Sequence, residues 1–183
     1  MFKGKFSKVF LLCLVCVMFV AGTAFAKSAK VIEAEVEDAL ESFKKIDGAK
    51  ELLNKSAGVL VFPEVIKAGV GIGGEYGEGA LLIRNKVVDY YSTAAASVGF
   101  QLGGQKKTII YCLMNKAALE NFQKSDGFSV GIDASVAVIS VGIGKSIDLT
   151  QTLDKPIVAF ILDQKGLMYN LTLEGSKITK LDR

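Results

Sequence analysis

The chain has 183 residues, half of them hydrophobic, which is the size of one domain with enough apolar material to bury a core. That balance excludes global disorder. There is no histidine, which removes the Ser-His-Asp and Cys-His arrangements and the commonest metal ligand.

The first 26 residues stand apart. Lys3, Lys5 and Lys8 form a basic start, an apolar run covers residues 9–21, and Ala24-Phe25-Ala26 supplies an A-x-A cleavage site. The pattern predicts a secretory signal peptide over residues 1–26, cut after Ala26, with residues 27–183 as a single exported domain, periplasmic or secreted. The apolar run is shorter than the ~20 residues that a membrane span needs. The three leader lysines account for the whole formal charge of +3, leaving a neutral domain. A basic character that would draw nucleic acid is therefore absent. Cys13 and Cys16 belong to the leader as well. Only Cys112 remains, in the apolar run Thr-Ile-Ile-Tyr-Cys-Leu-Met, where a buried inert thiol is expected and no internal disulfide can form.

Residues 28–46 predict an amphipathic helix, with Ile32, Val36, Ala39, Leu40 and Phe43 in one stripe and Ser28 as its N-cap. Glu33, Glu35, Glu37 and Asp38 lie toward its start and Lys44 and Lys45 toward its end, which complements the helix dipole. The stripe suits docking onto the domain's own sheet or insertion into a membrane; the acidic opposite side favours the first. Asp47-Gly48 breaks the helix, and residues 49–55 add a short second one.

From Val59 the period changes to two. A strand is expected over 59–62, ended by Pro63, which has no amide donor. Residues 64–68 suit one helical turn, 70–75 and 79–84 a hairpin, and 84–86 a turn into a strand over 87–91. Residues 97–105 alternate most clearly: Ser97, Gly99, Gln101, Gly103 and Gln105 fall on one face and Val98, Phe100 and Leu102 on the other. Lys106-Lys107 lead into a strand over 108–114, and Asn115 caps a helix over 116–123. A long strand is expected over 128–141, a polar loop over 142–154, and a last hairpin from 156–162 and 167–174. The sum is an α+β fold: a mainly antiparallel, strongly curved or barrel-like sheet, with the N-terminal amphipathic helix and a further short helix at one side. Glycines that share a strand face (Gly69, Gly71 and Gly73; Gly99 and Gly103) suit a tight curl or the close approach of a neighbour.

Sites for chemistry are few. Gly69-Val70-Gly71-Ile72-Gly73-Gly74 satisfies G-x-G-x-x-G as a string, but a strand rather than a helix follows, so the dinucleotide reading fails. Glu75 and Glu78 flank the expected turn, where solvated carboxylates are the ordinary outcome and glycoside hydrolysis the alternative. Asp133, in a glycine- and alanine-rich strand, needs a hydrogen-bond partner if buried. Lys67, Lys106, Lys107 and Lys145 sit at strand junctions or in loops, where they could meet lipid head groups at about 1 kcal/mol each.

Four stretches carry a family likeness: residues 61–69 with the following Gly-Gly-Glu-Tyr-Gly-Glu-Gly, residues 97–105, residues 131–138, and Lys165-Gly166-Leu167 with residues 173–176. In this order they resemble the SYLF domain. The resemblance implies a compact domain that binds phospholipids, without catalysis or cofactor, and in eukaryotic members implicates an N-terminal amphipathic helix and a basic surface in membrane contact. Here the helix at that place has an acidic face, the domain is neutral, and Tyr169-Asn170 stands where members often have Ala-Gly. The expectation is an exported, non-enzymatic lipid-binding protein of the bacterial envelope. It would contact a phospholipid surface through apolar residues with Lys67, Lys106, Lys107 and Lys145. Two alternatives stay open: a periplasmic interaction module that offers a protein partner its glycine-rich sheet face or edge, and a hydrolase built on Glu75, Glu78 or Asp133.

Overall fold

The computed structural model describes residues 27–125, 128–130, 136–140, 147, 153–166 and 175–183. Helix α1 (Ala29–Lys44) and helix α2 (Ala49–Lys55) come first. Two very long strands follow, β1 (Gly58–Ile83) and β2 (Lys86–Leu113), then helix α3 (Lys116–Lys124). Strands β3 (Phe128–Ser129), β4 (Val136–Ser140), β5 (Ile157–Gly166) and β6 (Lys177–Leu181) complete the described elements. All pairings are antiparallel except β4 with β5, which is parallel.

Strand β2 organises the sheet. One edge pairs with β1 along almost its whole length; the other pairs with β6 at Tyr90–Ala94 and with β5 from Gln105 to Leu113. The β1–β2 turn is the two-residue Arg84-Asn85 link, with φ of 51° and 61°, the left-handed pair that matches the twist of a tight hairpin.

Three expectations from the sequence are corrected within β1. Pro63 does not end the strand. The register slips between Phe62 and Val65, and at such a bulge a missing amide costs no ladder bond. The carbonyl of Pro63 accepts from the Thr108 hydroxyl at 2.8 Å. Residues 64–68 are strand rather than a helical turn, and the stretch read as a hairpin around Glu75–Glu78 is one extended run. Neither Gly77 nor Gly79 has a positive φ, so the local backbone for a tight turn is missing.

The glycines there serve a close approach instead. A Cβ on Gly79 would lie 1.9 Å from the carbonyl oxygen of Val61, and one on Gly77 would lie 2.7 Å from that of Glu64. On a straight strand positions 61 and 79 would stand roughly 60 Å apart, so β1 curls until its two arms touch.

Helices cover part of both faces of the curled sheet, not of one. Its concave side holds Leu60, Phe62, Leu81, Tyr91, Ile109 and Tyr111, closed off by Leu119 and Phe122 of α3. Helix α3 starts where expected, with the Asn115 side chain accepting from the Ala118 amide at 2.8 Å. On the other side Ile32, Val36, Leu40 and Phe43 of α1 lie on Val61, Ala80, Ile110 and Phe160; the Phe43 and Phe160 rings are 5.1 Å apart. The α1 stripe is thus spent on the domain's own sheet.

Candidate functional site

Alternation along β1 and β2 decides where each polar side chain goes. Beyond the Pro63 bulge, Val65, Lys67, Glu75, Gln105, Lys107 and Tyr111 face the concave side, whereas Glu64, Ile66, Tyr76 and Lys106 face outward. Lys67 is 6 % exposed and Lys107 2 %. Lys106 is exposed and ion-paired with Glu64, whose carboxyl the Lys106 ammonium holds below the usual carboxylate range. The lysines singled out by the sequence therefore do not make one exposed patch. Lys145 and Asp133 lie outside the described residues, as does the Tyr169-Asn170 departure.

Within the curl, Lys107 Nζ stands 3.0 Å from Glu75 Oε2, with both side chains almost fully buried. Glu75 is no solvated turn residue. The pair joins residues whose strand partners are far apart, Lys107 facing Val65 and Glu75 facing Ala95, so it spans the curl. Glu75 Oε1, both side-chain amide atoms of Gln105 and the Tyr111 hydroxyl have no hydrogen-bond partner among the described residues. Burial, and next the Glu75 charge, push the Tyr111 phenol far above its ordinary value.

A second carboxylate is buried on the outer side. Glu78 is 6 % exposed. Its Oε1 accepts from the Tyr76 hydroxyl and from Arg183 Nη2, each at 2.8 Å, and its Oε2 from the Lys27 backbone nitrogen at 3.1 Å. Burial and this bond push the Tyr76 phenol up to about 12. Sequence reasoning named both acids but placed them together at a solvated turn; carrying the period of two through position 77 separates them onto opposite faces.

Past the start of α1 the outer face of the hairpin is bare. Ile66 is 52 % exposed and Tyr76 47 %, and Ala68, Gly74, Ala94, Ala96 and Gly104 around them are exposed as well. The Glu64–Lys106 pair borders this patch. A hollow of about 160 Å³ between α1, α2 and the Arg84-Asn85 turn is smaller than the roughly 300 Å³ at which small-molecule sites begin.

Nucleophiles and metal ligands are sparse. No group of three or more His, Cys, Asp or Glu could hold a metal among the described residues. Burial pushes the Cys112 thiol up to about 12, the Ser56 hydroxyl opposing it only in part. Alkylation at pH 8 is thus expected to leave native Cys112 at least 100-fold less reactive than in the urea-unfolded chain, where its pKa returns to about 8.5. Comparable rates by mass spectrometry would refute its burial. No helix among the described residues is long and apolar enough to cross a membrane.

A curled, mainly antiparallel sheet, two helix layers and buried ion pairs define an α+β module. The family model Ysc84, described as Las17-binding protein actin regulator, matches residues 94–183. Residues 94–183 thus match the model of this family, in agreement with the SYLF-like motifs of the sequence. The match begins at Ala94, inside β2, and so leaves out α1, α2 and β1. No curated protein matches the chain.

Proposed function

We propose that this is an exported, non-enzymatic protein of the bacterial cell envelope that binds phospholipid through the bare outer face of its β1–β2 hairpin. The observation that carries the reading is the exposure of Ile66 and Tyr76 on a face of small residues, while the apolar stripe of α1 is already buried. The SYLF family and the leader pattern over residues 1–26 agree with it. Apolar contact is the main attraction, since the domain is neutral and Lys67 and Lys107 face inward.

In flotation with phosphatidylethanolamine–phosphatidylglycerol vesicles, the chain from Lys27 onward is expected to rise with the lipid. Ile66→Asp with Tyr76→Asp is expected to weaken binding at least tenfold, the loss of about 1.5–3 kcal/mol for one large apolar side chain. Raising salt from 50 to 300 mM should change binding less than threefold, because few lysines reach the surface. A wild type that stays with the pellet at low salt defeats the lipid reading.

A second reading has its own support, since the family description names a protein partner. In that case the same face docks a protein of the envelope, and crosslinking from the periplasm without flotation is the result that favours it.

A further inference from the structure

We propose that Glu78 is a receptor for the chain's own processed amino terminus: it binds the α-ammonium of Lys27, a group that exists only after cleavage behind Ala26. The proposal rests on the leader reading given above.

The geometry comes first. Glu78 is buried beneath the start of α1, and its two oxygens divide their donors. Oε1 takes the Tyr76 hydroxyl and the Arg183 guanidinium, each at 2.8 Å. Oε2 takes the Lys27 backbone nitrogen at 3.1 Å. One carboxylate therefore holds the residue that follows the expected cut and Arg183. Residue 27 is fixed a second time, by Lys27 Nζ on Glu35 at 2.7 Å. Ser28, at the N-cap of α1, makes no side-chain capping bond, so the Lys27 contacts are the side-chain anchorage at this end of the helix.

The chemistry of that nitrogen changes on cleavage. In the precursor it is an amide, with one N–H and no net charge. Hydrolysis of the Ala26–Lys27 bond adds water across it: Ala26 leaves as a carboxylate and Lys27 keeps an ammonium with three N–H donors. The precursor bond is already charge-assisted through the carboxylate; cleavage adds the Coulomb attraction of a charged donor, and little water competes at a side chain as buried as Glu78. The processed chain is thus more stable than its precursor: the contact exists in both, and it tightens when the leader is gone. Nothing in the residue pattern alone required Glu78 to lie beside residue 27; the contact joins positions 51 residues apart.

The test compares two recombinant forms, one beginning at Lys27 with no extra residue and one with Gly-Ser ahead of Lys27. The form that begins at Lys27 is expected to melt about 3 °C higher, the shift for one strengthened bond in a chain of this size. In Glu78→Gln the difference is expected to vanish; if that variant does not fold, Glu78→Asp, with its carboxylate drawn back, should shrink it at least twofold. Equal melting of the two wild-type forms overturns the proposal, and so does a difference that survives unchanged in the Glu78 variant. Separately, the intact mass of the protein recovered from an exporting bacterium should correspond to a start at Lys27. A start elsewhere overturns the leader reading instead, whatever the melting curves show.

Discussion

Replacing Glu75 with Gln is expected to destabilise the fold by about 3–5 kcal/mol, a fall of roughly 10 °C in melting temperature for a chain of this length. Glutamine keeps the volume but removes the charge opposite Lys107, whose ammonium stands 3.0 Å away with its side chain 2 % exposed. An unpaired ammonium in that place has little water to turn to, and that desolvation is the source of the penalty. Lys107→Met should cost as much by stranding Glu75, whose Oε1 already lacks a partner among the described residues. The double variant Glu75→Gln with Lys107→Met should recover at least half of the summed loss, because a neutral polar group and a thioether need no counter-charge. Chemical unfolding of all four proteins measures the coupling. Single variants within about 1 kcal/mol of wild type would mean that water reaches this pair freely.

Gly79→Val is expected to prevent folding altogether. The added Cβ would sit 1.9 Å from the Val61 carbonyl oxygen and 2.8 Å from a ring carbon of Phe62, and backbone at such range cannot yield without uncurling β1. Even Gly79→Ala should lower the melting temperature by more than about 10 °C, at the upper end of single-site effects. Gly104→Ala is the matched control: it lies on the same hairpin, but its Cβ would meet nothing closer than the Lys67 carbonyl oxygen at 3.9 Å. It should melt within about 2 °C of wild type, since surface changes of this kind stay near ±0.5 kcal/mol. Folded, soluble Gly79→Val protein with native circular dichroism would show that the two arms of β1 do not touch.

What was legible in the sequence was local. The stripe of α1, the Asn115 cap and the Arg84-Asn85 turn each depend on residues a few positions apart, and each is found where it was read. The curved, mainly antiparallel sheet also follows from the glycine pattern. The continuity of β1 was not legible, because Pro63 and the Gly-Glu-Tyr-Gly run both look like chain breaks. A bulge absorbs the first, and extended backbone at Gly77 and Gly79 carries the second. The parallel β4–β5 pair was hidden for another reason: it depends on partners remote in the chain. The lysines teach a sharper lesson. Lys106 and Lys107 are adjacent on a strand, so the pleat alone requires that they point to opposite faces. Grouping them as one patch ignored a rule that the sequence already contained. Glu78 as the meeting point of Lys27 and Arg183 had no sequence signal, since a lone glutamate among glycines does not reveal what it will touch.

The length of β2 bears on how this protein can be divided. The family-model match begins at Ala94, whereas the strand that region needs begins at Lys86 and is zipped to β1 over nearly its full span. A fragment cut at the family boundary would carry a raw hydrogen-bonding edge, and its Val158 and Phe160 would lose the helix that shelters them. Such an edge recruits other chains, so a fragment of residues 94–183 is expected to aggregate where the chain from Lys27 onward does not.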